Sequence, residues 1–342
     1  MGRVAKWVEN WLVGRKQRVE IKGSRSGWLP VTSGVPQGSV LGPLLFTLYI
    51  NDLDDGINGC VAKFADDTKI SGGVGSIEEI ERMQRDLDSL GEWARKWQMR
   101  FNVEKCAVVH FGSRNKRVDY YLEGEKIDSA VVQRDLGVLV QDTLKVNHQV
   151  GSVVKKANAM LAFISRGIVY KSKDVLMRLY AALVRPHLEY CVQFWAPHLR
   201  KDVLTLERVQ RRFTRMIPGM KGLKYDERLS ALGLYSLEYR RMRGDLVATF
   251  KMLTGKDRVD VARLFPLVGV SRTRGHNLRI RGYSFKTEMR RSFFTQRVVK
   301  LWNSLPRTAV EARSVGVFKE EIDRYLNSQG IKGYGDKAGK WD

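Results

Sequence analysis

Acidic residues are scarce in this sequence: 37 Asp+Glu face 60 Lys+Arg, a formal charge of +23 over 342 residues. Cysteine is scarcer still, and Cys60, Cys106 and Cys191 lie far apart. No two have zinc-clamp spacing and three cannot all pair within one chain, which excludes a zinc finger and a disulfide scaffold. A reducing, intracellular setting is expected. Long apolar runs are missing as well. The most apolar stretch, Val35 to Ile50, is broken by Pro36, Gln37, Gly38, Gly42 and Pro43, whereas a bilayer span needs about 20 apolar residues. Met1 to Asn10 carries charge early and has no signal-peptide core. No membrane partner is expected. The histidines His110, His148, His187, His198 and His276 show no metal-binding spacing and read as packing or surface residues.

What is present supports folded units. Hydrophobic residues make up 43% and aromatics 10% of the chain, enough to bury real cores, and the length suggests two or three domains. The charge is uneven: residues 1–150 sum to +1 and the remaining 192 to +22. A concentrated surplus of this kind repels itself and favours an acidic polymer as partner. Basic residues recur over separate segments with aromatics between them, as in Arg211-Arg212-Phe213 and Arg290-Arg291-Ser-Phe-Phe294. Arginines that hold phosphates beside rings that stack on unpaired bases favour nucleic acid over a membrane surface. Arg208, Arg211, Arg212, Arg215, Arg272, Arg274, Arg290 and Arg291 are the candidate contacts. A merely solvated basic face is the plain alternative.

Periodicity predicts the elements. Trp7, Val8, Trp11 and Leu12 suggest a short amphipathic helix, Arg18–Lys22 a strand, Ser39–Ile50 a buried helix, and Val61–Ile70 a hairpin with Asp66-Asp67 at its tip. Ser76 and Glu79 form a capping box ahead of Ile77, Ile80, Met83, Leu87, Leu90, Trp93 and Trp97 at helical spacing. Strands are expected at Phe101–Phe111, Tyr120–Ile127 (turning at Glu123-Gly124) and Leu136–Val140, giving an α+β sheet covered on one face. From Asn147 the pattern is helical. Pro186 should end or kink a helix, a further helix sets Val203, Leu206, Val209, Phe213 and Met216 against its arginines, and Pro218–Gly222 reads as a linker. Trp195 and Trp302 read as core anchors.

Two features carry chemistry. In Ser33-Gly-Val-Pro-Gln-Gly-Ser39, Gly34 and Gly38 permit close backbone approach and Pro36 stiffens the loop. In Phe64-Ala-Asp-Asp67, two adjacent carboxylates sit among apolar flanks, where mutual repulsion opposes ionisation of both. A divalent cation reverses that balance, since hard oxygen ligands suit magnesium. Each feature alone is unspecific; the two in this order, about 30 residues apart, are specific.

With them the sequence resembles the reverse transcriptases of non-LTR (LINE-type) retrotransposons, the jockey-like group in particular. Ser33-Gly-Val-Pro-Gln-Gly-Ser-Val-Leu-Gly-Pro-Leu-Leu-Phe46 resembles motif B, Phe64-Ala-Asp-Asp67 motif C, and Phe101-Asn-Val-Glu-Lys-Cys106 motif D. Val184-Arg-Pro-His-Leu-Glu-Tyr190, Leu206-Glu-Arg-Val-Gln-Arg-Arg212 and Val299-Lys-Leu-Trp-Asn-Ser-Leu-Pro306 resemble downstream parts of the same polyproteins. The resemblance implies RNA-directed DNA polymerase chemistry: deoxynucleoside triphosphates are added to a DNA primer on an RNA template with two Mg2+ (or Mn2+) ions. Asp66 would bridge the metals and Asp67 would support the turn or bind metal more weakly. Pro36, Gln37 and Gly38 would line the nucleotide side, with Phe64 packing beneath. Lys105 would approach the triphosphate, a solvated strand-end lysine being its plain alternative. Leu136-Gly-Val138 falls where a primer-gripping hairpin would lie.

The implied architecture is a partial right-hand palm at 1–140 (antiparallel sheet with helices), a helical thumb-like bundle at 141–217 and a basic C-terminal domain at 218–342. The implied location is a cytoplasmic ribonucleoprotein and the nucleus. One part is missing. The family's motif A aspartate precedes motif B in a Phe-x-Asp pattern, yet Glu9 and Glu20 are the only acids before Ser33 and neither sits in such a pattern. Motif A, the fingers and the endonuclease would lie outside this sequence, and the chain alone is expected to be inactive. A non-catalytic nucleic-acid-binding remnant of a retroelement remains the alternative.

Overall fold

The computed structural model describes residues 2–269, 275–331 and 333. The chain forms two compact units, Met1–Ala130 and Val131–Asp342. The first is a mixture of helices and small antiparallel ribbons. α1 (Arg3–Leu12) stacks Trp7 on Trp11 and buries no residue. β1 (Lys16–Gln17) pairs with β4 (Leu29–Pro30), and β2 (Glu20–Ile21) with β3 (Ser24–Arg25). α2 (Gly42–Tyr49) follows, then the hairpin β5 (Cys60–Phe64) and β6 (Asp67–Ser71).

α3 (Ile77–Lys96) begins where its signals placed it. The Ser76 hydroxyl accepts from Glu79 N while the Glu79 carboxylate accepts from Ser76 N. Glu78 and Glu79 in the first turn and Arg95 and Lys96 in the last complement the helix dipole. β7 (Tyr120–Leu122) and β8 (Glu125–Ile127) close a hairpin whose turn, Glu123-Gly124, has positive φ at both residues, as a two-residue turn matched to strand twist requires. Leu53, Leu90, Leu122 and Ile127 form the unit's core, with Ile57, Ile70, Leu87 and Trp93 packed on it.

Three expectations fail in this unit. Among the described residues no sheet exceeds two strands: each strand is only two to five residues long and pairs within its own ribbon. Phe101–Phe111 is not a strand but a 3-10 turn at Val103–Lys105 and one bridge from Val108 to Ser129. Asn102 accepts from Lys105 N, a local bond that competes with extended pairing. The helix expected to be buried starts three residues later, and Leu44 and Leu48 are exposed; of its residues only Gly42 is buried.

The second unit opens with the hairpin β9 (Val132–Asp135) and β10 (Val138–Gln141), turning at Leu136-Gly137 with positive φ at both. α4 (Asn147–Gly167) buries Val150, Val153, Ala157, Leu161 and Ile164. α5 (Lys173–Leu179), a π-helical turn at Tyr180–Val184 and α6 (Arg185–Glu189) run on without a break. Pro186 therefore does not end the helix; the wide turn before it accommodates the missing N–H and the ring. The chain turns instead at Cys191, which has φ +54, before α7 (Val192–Trp195). α8 (Arg200–Met216) and α9 (Tyr225–Leu232) complete a core that contains Trp195 and stacks Phe213 on Tyr180 with centroids 4.0 Å apart. Ile217 and Tyr225 both belong to that core, so Pro218–Gly222 connects two helices of one body rather than linking two.

α10 (Leu237–Leu253) leads to a second core built with α11 (Val261–Leu264), α13 (Phe294–Arg297), α14 (Val299–Asn303), α15 (Arg307–Val310) and α16 (Val315–Ser328), while α12 (Glu288–Arg291) buries no residue. Trp302 is fully buried there, its indole N–H donating to Leu278 O at 2.7 Å. α10 is tied on several sides by arginine–carboxylate pairs. Arg240 grips Glu189, Arg243 grips Asp323 with two 2.9 Å bonds, and Arg297 grips Asp245 at 2.7 and 2.9 Å. Among the described residues no helix is long and apolar enough to cross a membrane.

Candidate functional site

The glycine-bearing loop is held at both ends. Arg15 donates to Ser33 O at 3.1 Å and Gly34 O at 2.6 Å, fixing its start. At its end the Ser39 hydroxyl donates to Pro36 O at 2.7 Å and accepts from Gly42 N at 3.0 Å, stitching loop to helix. A Cβ on Gly42 would lie 3.0–3.1 Å from Ser39 Oγ and Pro36 O, so α2 starts on a residue without a side chain. Gly34 and Gly38 have φ +71 and +78, which favours glycine at both. Gln37 and Gly38 are exposed and Pro36 half-buried.

The β5–β6 hairpin is pinned at its base and open at its tip. Asp86 on α3 accepts from the backbone N–H of Asn58 and Gly59 at 2.9 and 2.8 Å. Strand alternation half-buries Val61, Lys63, Thr68 and Ile70 and leaves Cys60, Ala62, Phe64, Asp67, Lys69 and Ser71 exposed. Phe64, expected to pack beneath a nucleotide, is thus 66% exposed and pairs across the ladder with Asp67. The turn is Ala65-Asp66, and Ala65 has φ +52, a sparsely populated conformation for a residue with a Cβ. Asp66 and Asp67 are both exposed, and neither side chain has a hydrogen-bond or ion-pair partner among the described residues.

Lys63 ties the hairpin to the chain just past the end of α2. Its ammonium donates to Ile50 O at 3.2 Å, Asn51 O at 2.9 Å and the Asp54 carboxylate. Three donors meet three acceptors, and two of those are carbonyls just past the C-terminus of α2, where positive charge is favoured. The bond from Lys63 holds the Asp54 carboxyl below its ordinary range, slight burial opposing it. Sequence reading passed over Lys63; its one signal is a cation on the half-buried side of an apolar strand.

Other expected residues are less converged. Lys105 ends the 3-10 turn, exposed and without an ion pair among the described residues. A cleft of about 450 Å³ is lined by Leu45, Leu48, Tyr49, Asn51, Asp52 and Trp97, none of them a predicted site residue. Among the described residues no third His, Cys, Asp or Glu joins Asp66 and Asp67 in a metal-sized cluster. The pair fits part of a hard-cation shell, as two carboxylates adjacent in sequence and without a partner among the described residues, without completing it.

In the second unit, Arg208, Arg211, Arg212 and Arg215 are exposed along α8, opposite buried Val203, Leu206, Val209 and Phe213. Arg211 lies 4.1 Å from the Tyr225 ring centroid, and Arg212 donates to Asn158 at 3.3 Å. Arg290 stacks over Phe293 at 5.4 Å, and Arg291 pairs with Glu288 at 3.1 Å. Arg272 and Arg274 lie outside the described residues.

With this geometry in place, residues 2–146 match the sequence profile of the family described as "Reverse transcriptase (RNA-dependent DNA polymerase)". The chain is 28% identical over 225 residues to the RNA-directed DNA polymerase from mobile element jockey of Drosophila melanogaster, covering 62% of this chain and 25% of that protein. The jockey polymerase of Drosophila funebris is 27% identical over 229 residues, covering 62% and 25%. A probable RNA-directed DNA polymerase from transposon X-element of Drosophila melanogaster is 28% identical over 222 residues, covering 62% and 24%. This chain therefore spans about a quarter of the length of these curated relatives. No solved structure matches it significantly. Residues 2–146 are thus similar to reverse transcriptases, and most of the chain to the polymerases of jockey-type mobile elements, in an arrangement of helices with small antiparallel sheets.

Proposed function

We propose that this chain works within an RNA-directed DNA polymerase of a non-LTR retrotransposon, extending a DNA primer on an RNA template with deoxynucleoside triphosphates. The observation that carries the reading is the unpaired Asp66-Asp67 doublet on a pinned hairpin that Lys63 ties to the glycine-bearing loop-helix, all within the matched segment. The first unit, Met1–Ala130, is then part of a palm, and the second, Val131–Asp342, carries a thumb-like bundle and a basic nucleic-acid-contacting region, in a particle assembled in the cytoplasm and acting in the nucleus.

Asp66 and Asp67 would supply carboxylate oxygens to divalent cations, which in such enzymes activate the primer hydroxyl and stabilise the departing pyrophosphate. Pro36, Gln37 and Gly38 would offer a stiff, open loop edge to the incoming nucleotide. Lys105, unpaired, would be available to the triphosphate. Two carboxylates do not close the ligand set, so the 342-residue chain alone should polymerise nothing. The test is a primer-extension assay on RNA with magnesium, comparing this chain with a fusion that places a jockey relative's upstream Phe-x-Asp segment before it. Extension by the fusion, reduced about 100-fold or more by Asp66→Asn, is the expected result. A fusion that extends equally well with and without Asp66 would overturn the reading.

A second reading, binding without catalysis, is favoured by the exposed arginines of α8. Six to ten phosphate contacts would weaken RNA affinity by roughly 10³–10⁵ between 50 and 200 mM salt. Binding that stays flat across that range would exclude it.

A further inference from the structure

Where α8 gives way to α9, a buried arginine, Arg228, has no carboxylate partner among the described residues. Arg228 on α9 is 2% exposed. Its Nη1 donates one long bond, 3.4 Å, to Leu223 O, and its Nε has no acceptor. Two guanidiniums lie over the Tyr225 ring, that of Arg211 at 4.1 Å and that of Arg228 at 5.6 Å from its centroid. Burial, then Arg215 and Arg211, push the Arg228 pKa down; the Tyr225 phenol opposes them, and no Asp or Glu does. The nearby acid Glu207 is committed elsewhere: it accepts from the Tyr225 hydroxyl and from Leu237 N at 3.1–3.2 Å.

The contrast within the same unit is sharp. Arg240, Arg243 and Arg297 each fork onto a carboxylate, and buried Arg241, with one Nη unpaired, still feels Glu207, Glu238, Asp245 and Glu189. A buried cation without a counter-charge is costly, and a cluster of them more so. α9 would be served by an apolar residue at 228, since Tyr225, Leu229 and Leu232 around it are all buried. An unsatisfied buried polar group calls for an explanation, and a planar donor fork facing like charge is suited to a bound oxyanion.

We propose that Arg211, Arg215 and Arg228 form a clamp for a backbone phosphate of a nucleic acid, with the Tyr225 ring as the flat support that holds two of the guanidiniums. The proposal rests on the reading that this chain handles nucleic acid. A polyanion is favoured over a free phosphate ion because the exposed Lys221 and Lys224 of the α8–α9 connection extend the same basic surface.

The test uses the full chain and a short fluorescein-labelled single-stranded RNA, followed by anisotropy between 50 and 200 mM salt. Arg228→Met should fold with a melting midpoint no lower than that of the parent, because an unpaired cation becomes a flexible apolar side chain. It should weaken RNA binding by about tenfold and reduce the log–log salt slope by about 0.7. The double variant Arg211→Gln/Arg215→Gln, at exposed positions, should do the same and carries the test should Arg228→Met fail to fold. Unchanged affinity and slope in the double variant, with the parent still binding RNA, would overturn the clamp and leave the nucleic-acid reading standing. A parent that binds no RNA would sink both. If inorganic phosphate raises the parent's melting midpoint while all variants bind RNA alike, the site takes a free ion and the backbone assignment falls.

Discussion

A single ammonium ties the Asp66-Asp67 hairpin to the chain just past α2. Lys63 satisfies three acceptors at once, and Lys63→Met would leave two carbonyls and the Asp54 carboxylate without it. After allowance for solvent at a partly exposed site, the first unit should lose about 1–2 kcal/mol in urea unfolding. The Asp54 carboxyl is lowered in the folded state. Its contribution is therefore present above the ordinary carboxylate value of about 4 and is lost as pH falls through the lowered value. Lys63→Met should erase that acid-side loss; a parent and variant with parallel stability–pH curves below about pH 5 would refute the link. At the hairpin tip, Ala65 holds a left-handed φ, so Ala65→Val should destabilise the turn by about 1–3 kcal/mol while Ala65→Gly should not. Faster amide exchange across Phe64–Asp67 in the valine variant alone is the expected readout. At this scale the motif names Asp66 and Asp67 as candidates, because carboxylate identity is itself the signal. Lys63 and Arg228 were not legible as partners. One interrupts a strand pattern and the other an apolar helical stripe, and only the fold reveals that the first has three acceptors and the second has no counter-charge.

Whole elements differ in how locally they are determined. α3 could be read from its sequence because cap, stripe and terminal charges all lie within twenty-odd residues. Ser76→Ala should cost about 1 kcal/mol, seen as earlier fraying of the first turn by amide exchange. The Glu123-Gly124 hairpin was legible for the same reason: its turn chemistry is local. Phe101–Phe111 was not, because an alternating apolar pattern cannot say whether a pairing strand is available, and Asn102 captures the chain into a tight turn first. The exposure of α2 was equally hidden, since apolar composition states what a helix would bury but not whether a partner is at hand. Of the two outcomes expected at Pro186, an end or a kink, the helix does not end, and the π-helical turn that lets it continue depends on the surrounding core. α10 is fastened by side chains distant in sequence: Asp323 accepts two bonds from Arg243 and one from the Tyr239 hydroxyl. Asp323→Asn should therefore destabilise the second unit by about 2–4 kcal/mol in chemical denaturation. A loss below about 0.5 kcal/mol would mean the pair behaves like a surface bridge.

Over the molecule as a whole, protonation and salt set the terms. His276 is buried, its Nε2 at 3.1 Å from Trp302 O and its Nδ1 without a partner. Burial lowers its pKa, with Arg279 adding to the effect and the Trp302 carbonyl and Glu311 opposing it. An unfolded histidine takes its proton near pH 6.5, before the folded one does, so stability should be full above that value and decline below it. The steepest decline is about 1.4 kcal/mol per pH unit, and His276→Gln should flatten it in melting curves taken from pH 7 to 5. The charge map and the exposed apolar residues of the first unit have a practical corollary. Val40, Leu44, Leu48, Trp7 and Trp28 stand in solvent on a segment of almost no net charge, so the repulsion that keeps copies apart comes mainly from the cationic remainder. Concentrated salt used to strip bound polynucleotide during purification would screen that repulsion and strengthen apolar adhesion. Preparations should thus be clearest at intermediate ionic strength, clouding as the eluting salt rises.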